Sequence, residues 1–370
     1  MTSPSRPVVI YRTRPAHEAD GHDAIGRRAV AERLAATLGG AFQGEYDATL
    51  RYAARPYFVP DDALEADAAR RLGIASIDDL FGGVVPRAFV ATKAITHGLV
   101  DEGAAAPRDW SPAFARNVAP VVLRGYTAFA REDAMRAVQA LLADGPVRLK
   151  QCDGIGGGGQ QVVATHADAE RALGALDGQA LATAGVVVEE NLENVITWSV
   201  GQVRAGGLTI SYCGTQRTVV NGRGHEVYGG STLECVRGGF AVLAALALRD
   251  GAGQAVELAR QYDAAALRDY AGMFASRRNY DVAEGAGATG QRRIGVLEQS
   301  WRVGGASGAE VRALEAFRAD AGLDHLRAST VETYRERPII PDDAFVYFRG
   351  TDAHGSALTK YATLTAYADA

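Results

Sequence analysis

Two short segments of this chain concentrate side chains able to handle phosphate and a divalent cation. The first runs Lys150-Gln-Cys-Asp-Gly154-Ile-Gly156-Gly157-Gly158-Gly159. A turn needs only one or two glycines; a longer run lets backbone N–H groups converge on phosphate oxygens without side-chain obstruction. Lys150, just upstream, would set a compact ammonium beside them. Gly154 to Gly159 satisfies G-x-G-x-x-G formally, but a dinucleotide site requires a helix directly after the loop. Here Val162, Val163 and Ala164 read as a strand, and no Gly-Lys-Ser/Thr closes the loop as in a Walker motif. Strand, glycine loop, strand is the geometry of a flap over phosphates. Protein kinases use such a flap, but their lysine follows the loop, and no HRD or DFG tripeptide occurs here. The competing reading is a flexible hairpin tip.

The second segment is Gly295-Val-Leu-Glu298-Gln-Ser300-Trp-Arg302. In a strand, alternate residues share a face, so Glu298, Ser300 and Arg302 would line one surface. A carboxylate there can hold Mg²⁺, which takes one or two carboxylates plus phosphate oxygens, while an arginine neutralises phosphate charge. Asp281, on an upstream strand candidate at 279–283, could stand beside Glu298 if the two strands pair antiparallel. An exposed strand face with a solvated Glu–Arg contact is the alternative.

These residues need a scaffold, and the pattern around them is mixed α/β. A buried strand at 8–11 precedes a helical pattern at 23–38 that stops at Gly39 and Gly40. Asp61 could cap a second helix reaching 72. A short helical stretch at 89–97 carries Lys93, and 121–123 reads as a strand. An amphipathic helix at 131–144 ends at Gly145 and Pro146; strands at 147–150 and 161–164 flank the glycine loop, and a helix follows from 168 to 176. Residues 185–235 are rich in β-branched runs. Helical pattern returns at 254–274 and 309–320, with strand candidates at 279–283, 294–299, 331–334 and 345–348.

The chain has 370 residues, 47% hydrophobic and 22% charged, values that suit a folded multidomain protein. With 39 basic and 44 acidic residues the net charge is −5, which gives no electrostatic footprint for nucleic acid or an anionic membrane. The most apolar stretch, 240–248, is too short to span a bilayer. Three scattered cysteines, Cys152, Cys213 and Cys235, lack metal-ligand spacing and suit a reducing cytoplasm.

The order of these features resembles the ATP-grasp superfamily of nucleotide-dependent carboxylate–amine ligases, including a bacterial branch of it. The matching segments are Lys93; Pro146, Val147 and Lys150; the glycine run; Val187, Val188, Glu189, Glu190 and Leu192; Asp281; and Glu298, Ser300 and Arg302. The likeness covers roughly residues 90–305. It implies an N-terminal α/β domain (1–88), a small ATP-binding subdomain with the flap (89–192) and a catalytic, metal-binding subdomain (193–370). The last two, both α+β, would sandwich a nucleotide. It further implies that Lys93, Lys150 and the backbone of Gly156, Gly157 and Gly158 contact ATP phosphates, and that Glu189, Glu190 and Leu192 hold the adenine edge. Asp281, Glu298 and Ser300 would carry Mg²⁺, Arg302 would stabilise the transferring phosphoryl group, and Arg278 would assist with charge. Ser300 stands where the family has a metal-binding asparagine, and Thr197 where it has an acidic residue for the ribose.

The activity implied is ATP-dependent activation of a small-molecule carboxylate as an acyl phosphate, followed by attack of an amine. The expected partners are those small molecules, with neither nucleic acid nor membrane, and a homodimer is left open. A nucleotide-binding protein without turnover and a phosphotransferase are the rival readings. The glycine-punctuated stretch 214–231 is the candidate substrate loop, with Arg217 or Arg223 reading a carboxylate.

Overall fold

The computed structural model describes residues 6–13, 21–152, 154, 159–246, 248 and 251–366. Gly156, Gly157 and Gly158 lie outside the described residues. The N-terminal part alternates strand and helix: β1 (Val8–Tyr11), α1 (His22–Thr37), β2 (Phe42–Glu45), β3 (Tyr57–Pro60), β4 (Leu64–Glu65), α2 (Ala66–Arg71) and β5 (Gly83–Val85). β1 is flanked by β2 and β3 in a parallel sheet, so its run Val8, Val9 and Ile10 is buried on both faces. Val30 and Leu34 of α1, four residues apart, pack on Val8 and Ile10.

The middle part comprises α3 (Pro112–Val118), β6 (Gly125–Ala128), α4 (Arg131–Leu142), β7 (Val147–Gln151), β8 (Gln160–Val163), α5 (His166–Gly174), α6 (Gly178–Ala184) and β9 (Val186–Glu190). Its strands form an antiparallel sheet in the order β6-β9-β7-β8. Val138 and Leu141 of α4 meet Leu149 and Val188 in a core belonging to this sheet and its helices.

The remaining elements are β10 (Glu193–Ala205), β11 (Leu208–Val220), β12 (Glu226–Arg237), α7 (Phe240–Ala245), α8 (Ala252–Asp269), β13 (Phe274–Ala275), β14 (Arg277–Ala286), β15 (Arg292–Ser300), α9 (Ser307–Ala319), β16 (His325–Thr333), β17 (Phe345–Thr351) and β18 (Ala357–Ala366). Eight of these strands make an antiparallel sheet in the order β15-β14-β10-β11-β12-β16-β18-β17, while β13 joins β5 and β4. Strand alternation divides this large sheet. Trp198, Val200, Tyr280 and Val282 face α8, whereas Val203, Ile210 and Leu233 share a core with α9, α1 and β1. Ser199 and Asp281 fall on that second face, beyond the apolar part.

Two sequence expectations change. The helix expected from Asp61 is only α2, because the Asp61 carboxylate instead accepts from the amide and hydroxyl of Thr13, at 2.8 and 2.6 Å. Residues 121–123 do not form a strand: Ala119–Val121 is a 3-10 turn, and Val122 makes an isolated bridge to Val296. No helix among the described residues is long and apolar enough to cross a membrane.

Candidate functional site

The end strands of the large sheet set the acidic pair. Antiparallel pairing of β14 with β15 puts Asp281 directly opposite Glu298. Burial and the facing carboxylate push the Asp281 carboxyl up to about 7, although Gln216 donates to it at 2.7 Å and Arg277 and Lys93 act in the opposite sense. Two carboxylates in that relation suit a divalent cation, which would replace mutual repulsion with shared coordination. Among the described residues no group of three His, Cys, Asp or Glu could hold a metal, so this pair is the donor set available. It fits Mg²⁺, whose remaining ligands are ordinarily water and phosphate oxygens.

Lys93 joins the pair from a 3-10 turn, Lys93–Thr96, whose start is capped by the Thr92 hydroxyl. Its ammonium lies 3.0 Å from Glu298 Oε2 and donates to the Gly154 carbonyl at 2.7 Å, linking β15 to the first glycine of the loop. The Gln299 side chain fixes the turn by donating to the carbonyls of Val90 (3.0 Å) and Thr92 (2.6 Å).

Lys150, on β7, pairs with Glu189 on the neighbouring β9, and His97 Nε2 lies 3.1 Å from the other oxygen of Glu189. All three side chains are buried. Burial alone would raise the Glu189 carboxyl; Lys150 and His97 outweigh it and hold the group at about 2. Glu189 is thus an ionised counter-charge for Lys150. Its neighbour Glu190 points elsewhere, to Arg293 at 2.6 Å and the amide of Arg124 at 2.9 Å. Leu192 joins Leu123, Ala283 and Leu297 in a small apolar cluster at the junction of the two sheets. Thr197 is half-buried on β10 opposite Ala283, one row from the Ser199–Asp281 pair and on the same face.

Arg278, Ser300 and Arg302 each make contacts of their own. Arg278 is on the opposite face of β14 from Asp281, bound to Asp263 at 2.8 and 3.0 Å and to Gln202, with its guanidinium over the Phe240 ring. Alternation brings Arg277 to the site face instead, where it pairs with Glu310 deep in the core. Arg277 also donates to both the hydroxyl and the carbonyl of Ser300, each at 3.1 Å. A hydroxyl already accepting from a guanidinium is poorly disposed to ligate a cation. Arg302, just past β15, donates to the Val303 carbonyl at 3.1 Å and has its Nε 3.8 Å from Asp62.

The 214–231 stretch is the β11–β12 hairpin. Arg217 donates across it to the Gly229 carbonyl at 2.9 Å, and Arg223 sits at the turn beside His354. Gln216 is the residue of that stretch that reaches the acidic pair. His97, Arg277 and Gln299 carry no motif of their own; the strand parity that favours Arg277 over Arg278 is the one signal the sequence contained.

A parallel N-terminal sheet, a small antiparallel sheet with its glycine loop, and a large antiparallel sheet ending in paired acidic strands define the ATP-grasp fold. Solved structures agree. N5-carboxyaminoimidazole synthetase from Staphylococcus aureus, complexed with ADP, has a TM-score of 0.52 and 12% identity over 98% of this chain and 94% of that one. The biotin carboxylase–βγ-ATP complex from Campylobacter jejuni has a TM-score of 0.50 and 11% identity, covering 97% and 87%. The biotin carboxylase domain of Hydrogenobacter thermophilus 2-oxoglutarate carboxylase, in complex with MgADP, ADP and bicarbonate, has 0.50 and 12%, covering 98% and 86%. At such identities the likeness is one of fold. No curated protein matches the sequence. The chain belongs to the family described as "Protein of unknown function (DUF3182)", whose model matches residues 9–362.

Proposed function

We propose that the protein is an ATP- and Mg²⁺-dependent ligase that activates a small-molecule carboxylate for attack by an amine. The observation that carries this reading is the Asp281–Glu298 pair, with the Lys93 ammonium bridging Glu298 to the base of the glycine loop. Mg²⁺–ATP would supply the γ-phosphoryl group that converts the substrate carboxylate to an acyl phosphate. Asp281 and Glu298 would hold the cation. Lys93 and Lys150 would neutralise phosphate charge, with Glu189 and His97 keeping Lys150 oriented. The apolar cluster of Leu123, Leu192, Ala283 and Leu297 offers a floor for an adenine ring, with Thr197 near the ribose. Arg302, at the end of β15, would face the transferring group. These roles are positioning and charge neutralisation, and no side-chain nucleophile is needed. The engagement of Ser300 by Arg277 favours one rival, a protein that binds nucleotide without turnover.

Thermal unfolding with Mg²⁺–ATP, followed by ADP release over a panel of acids and amines, tests the reading. Nucleotide at 100 times its dissociation constant stabilises the native state by about 2.7 kcal/mol. Glu298→Gln should keep much of that stabilisation and lose all turnover, each variant being compared with its own nucleotide-free state. Absence of stabilisation in the wild type at millimolar Mg²⁺–ATP would overturn the proposal. Stabilisation with no turnover on any acid would favour the binding-only protein.

A further inference from the structure

The carboxyl ends of β1 and β3 gather charged groups, and two of them, Arg12 and Arg27, have no part in the phosphoryl transfer described above. Arg12 follows β1, Asp61 and Asp62 follow β3, Arg27 lies in the second turn of α1, and Arg302 leaves β15 toward them, 3.8 Å from Asp62. Three guanidiniums from three elements thus share one neighbourhood. Burial holds Arg27 below the usual arginine range, Arg302 and Arg12 act in the same direction, and Asp61 and Asp23 oppose them. Each carboxylate nearby already has a partner, and that of Asp62 is Arg302. Asp61 accepts from Thr13, Asp23 pairs with Lys360 at 2.9 Å and lies 3.0 Å from His22, and Glu45 takes one end of Arg12. Arg27 makes no ion pair among the described residues, and the Nε atoms of Arg12 and Arg27 are buried without a hydrogen-bond partner.

Buried donors of this kind are rarely left unmatched, and guanidinium forks match carboxylate and phosphate oxygens. The location adds to the argument, because ligands of open parallel α/β sheets bind beyond the carboxyl ends of the strands. We propose that Arg12, Arg27 and Arg302 form a subsite for an anionic group, a carboxylate or a phosphate, carried by the substrate acid in addition to the carboxylate that reacts. The acid is therefore at least doubly charged. Its placement rests on the ligase reading, which puts the reacting carboxylate near Glu298, on the strand that leads to Arg302.

Inorganic phosphate, succinate and acetate, added to the full chain at constant ionic strength, are the probes, with thermal unfolding as the readout. Phosphate and succinate, the more highly charged probes, should raise the melting temperature more than acetate does; whichever is stronger tells phosphate from carboxylate. Arg27→Gln and Arg12→Gln should each weaken that binding at least about tenfold, the loss of one charge-assisted hydrogen bond. Arg27→Lys, which keeps the charge without the fork and is the milder change should Arg27→Gln fail to fold, should recover only part of it. Equal responses to acetate and the other anions, or an unchanged response in the Arg12 and Arg27 variants, would overturn the subsite. A wild type that answers phosphate or succinate but not Mg²⁺–ATP would overturn the ligase reading and leave the anion site standing. The reverse pattern would overturn the subsite alone.

Discussion

Lys150 shows how an ammonium is held inside a protein. A buried ammonium is costly unless paired, and Glu189 supplies the pair while His97 holds the far oxygen of Glu189. Because the Glu189 carboxyl is held at about 2 against an ordinary 4.5, ionised Glu189 stabilises the fold fully above pH 4.5. That contribution is lost as pH falls from 4.5 toward 2, and it amounts to about 3 kcal/mol. Urea unfolding of wild type and Glu189→Gln across that range checks it. The variant should be less stable at pH 7, leaving Lys150 without its counter-charge, yet flatter between pH 4.5 and 2. Parallel pH profiles would refute the assignment. At this scale the sequence was informative about residue types. Lys93, Asp281 and Glu298 converge, as their motif order suggested, whereas His97 and Gln299 are brought in by tertiary contacts that no spacing encodes. Arg278 faces away from Asp281 because adjacent strand residues face opposite ways, and only the register reveals which of two neighbouring arginines looks toward Asp281.

Among the elements, the turn that carries Lys93 has little to hold it internally. A single 3-10 turn must fix several dihedrals for each hydrogen bond it gains, and its geometry comes from β15 through the Gln299 amide and through the Thr96 hydroxyl, which donates to the Leu297 carbonyl at 3.1 Å. Gln299→Leu keeps the volume and removes the amide, so two buried carbonyls lose their donor and the Tyr262 hydroxyl loses its acceptor. Such losses cost roughly 1–3 kcal/mol for each group left unsatisfied. Nucleotide affinity should fall along with stability, while Asp281 and Glu298 stay in register. Isothermal titration with Mg²⁺–ATP is the measurement, and unchanged affinity would show that Lys93 is positioned by other contacts. Element type was legible wherever apolar runs were long, as in β1, α4, β9 and β14. It failed at β6, where Gly125–Ala128 has no apolar alternation, and at the Asp61 helix, where a plausible capping carboxylate is taken by Thr13.

At the level of the whole molecule, core connectivity does not follow the chain. The N-terminal part has an apolar cluster of its own in Val9, Phe58, Leu64, Ile74 and Leu80, while Val8, Val30, Leu34 and Phe81 share another core with Val303, Leu314 and Phe317. The buried Lys360 of β18 reinforces this junction by pairing with Asp23 of α1 at 2.9 Å and with Glu332 of β16 at 3.2 Å. Nothing in the order of apolar runs announces such a junction, because it joins residues as far as 337 positions apart. The small sheet is different, since Val138, Leu141, Leu149, Val163 and Val188 close on one another. Its ties to the rest include Lys93 at Gly154, Arg293 at Glu190 and the Thr127 hydroxyl at the Ala94 carbonyl. Cooperative opening follows shared cores, which makes two units the expectation. Amides of β6 to β9 should exchange with deuterium through an opening of lower free energy than those of β10, β11 and β14. Those of β1 and α1 should exchange with the large sheet. Mg²⁺–ATP, contacting both units in the proposed complex, should narrow the gap by slowing β6 to β9 most. Mass-spectrometric exchange with and without nucleotide reads this directly. If β1 and α1 opened before β6 to β9, the shared core would not be what couples the N-terminal strands to the acidic pair.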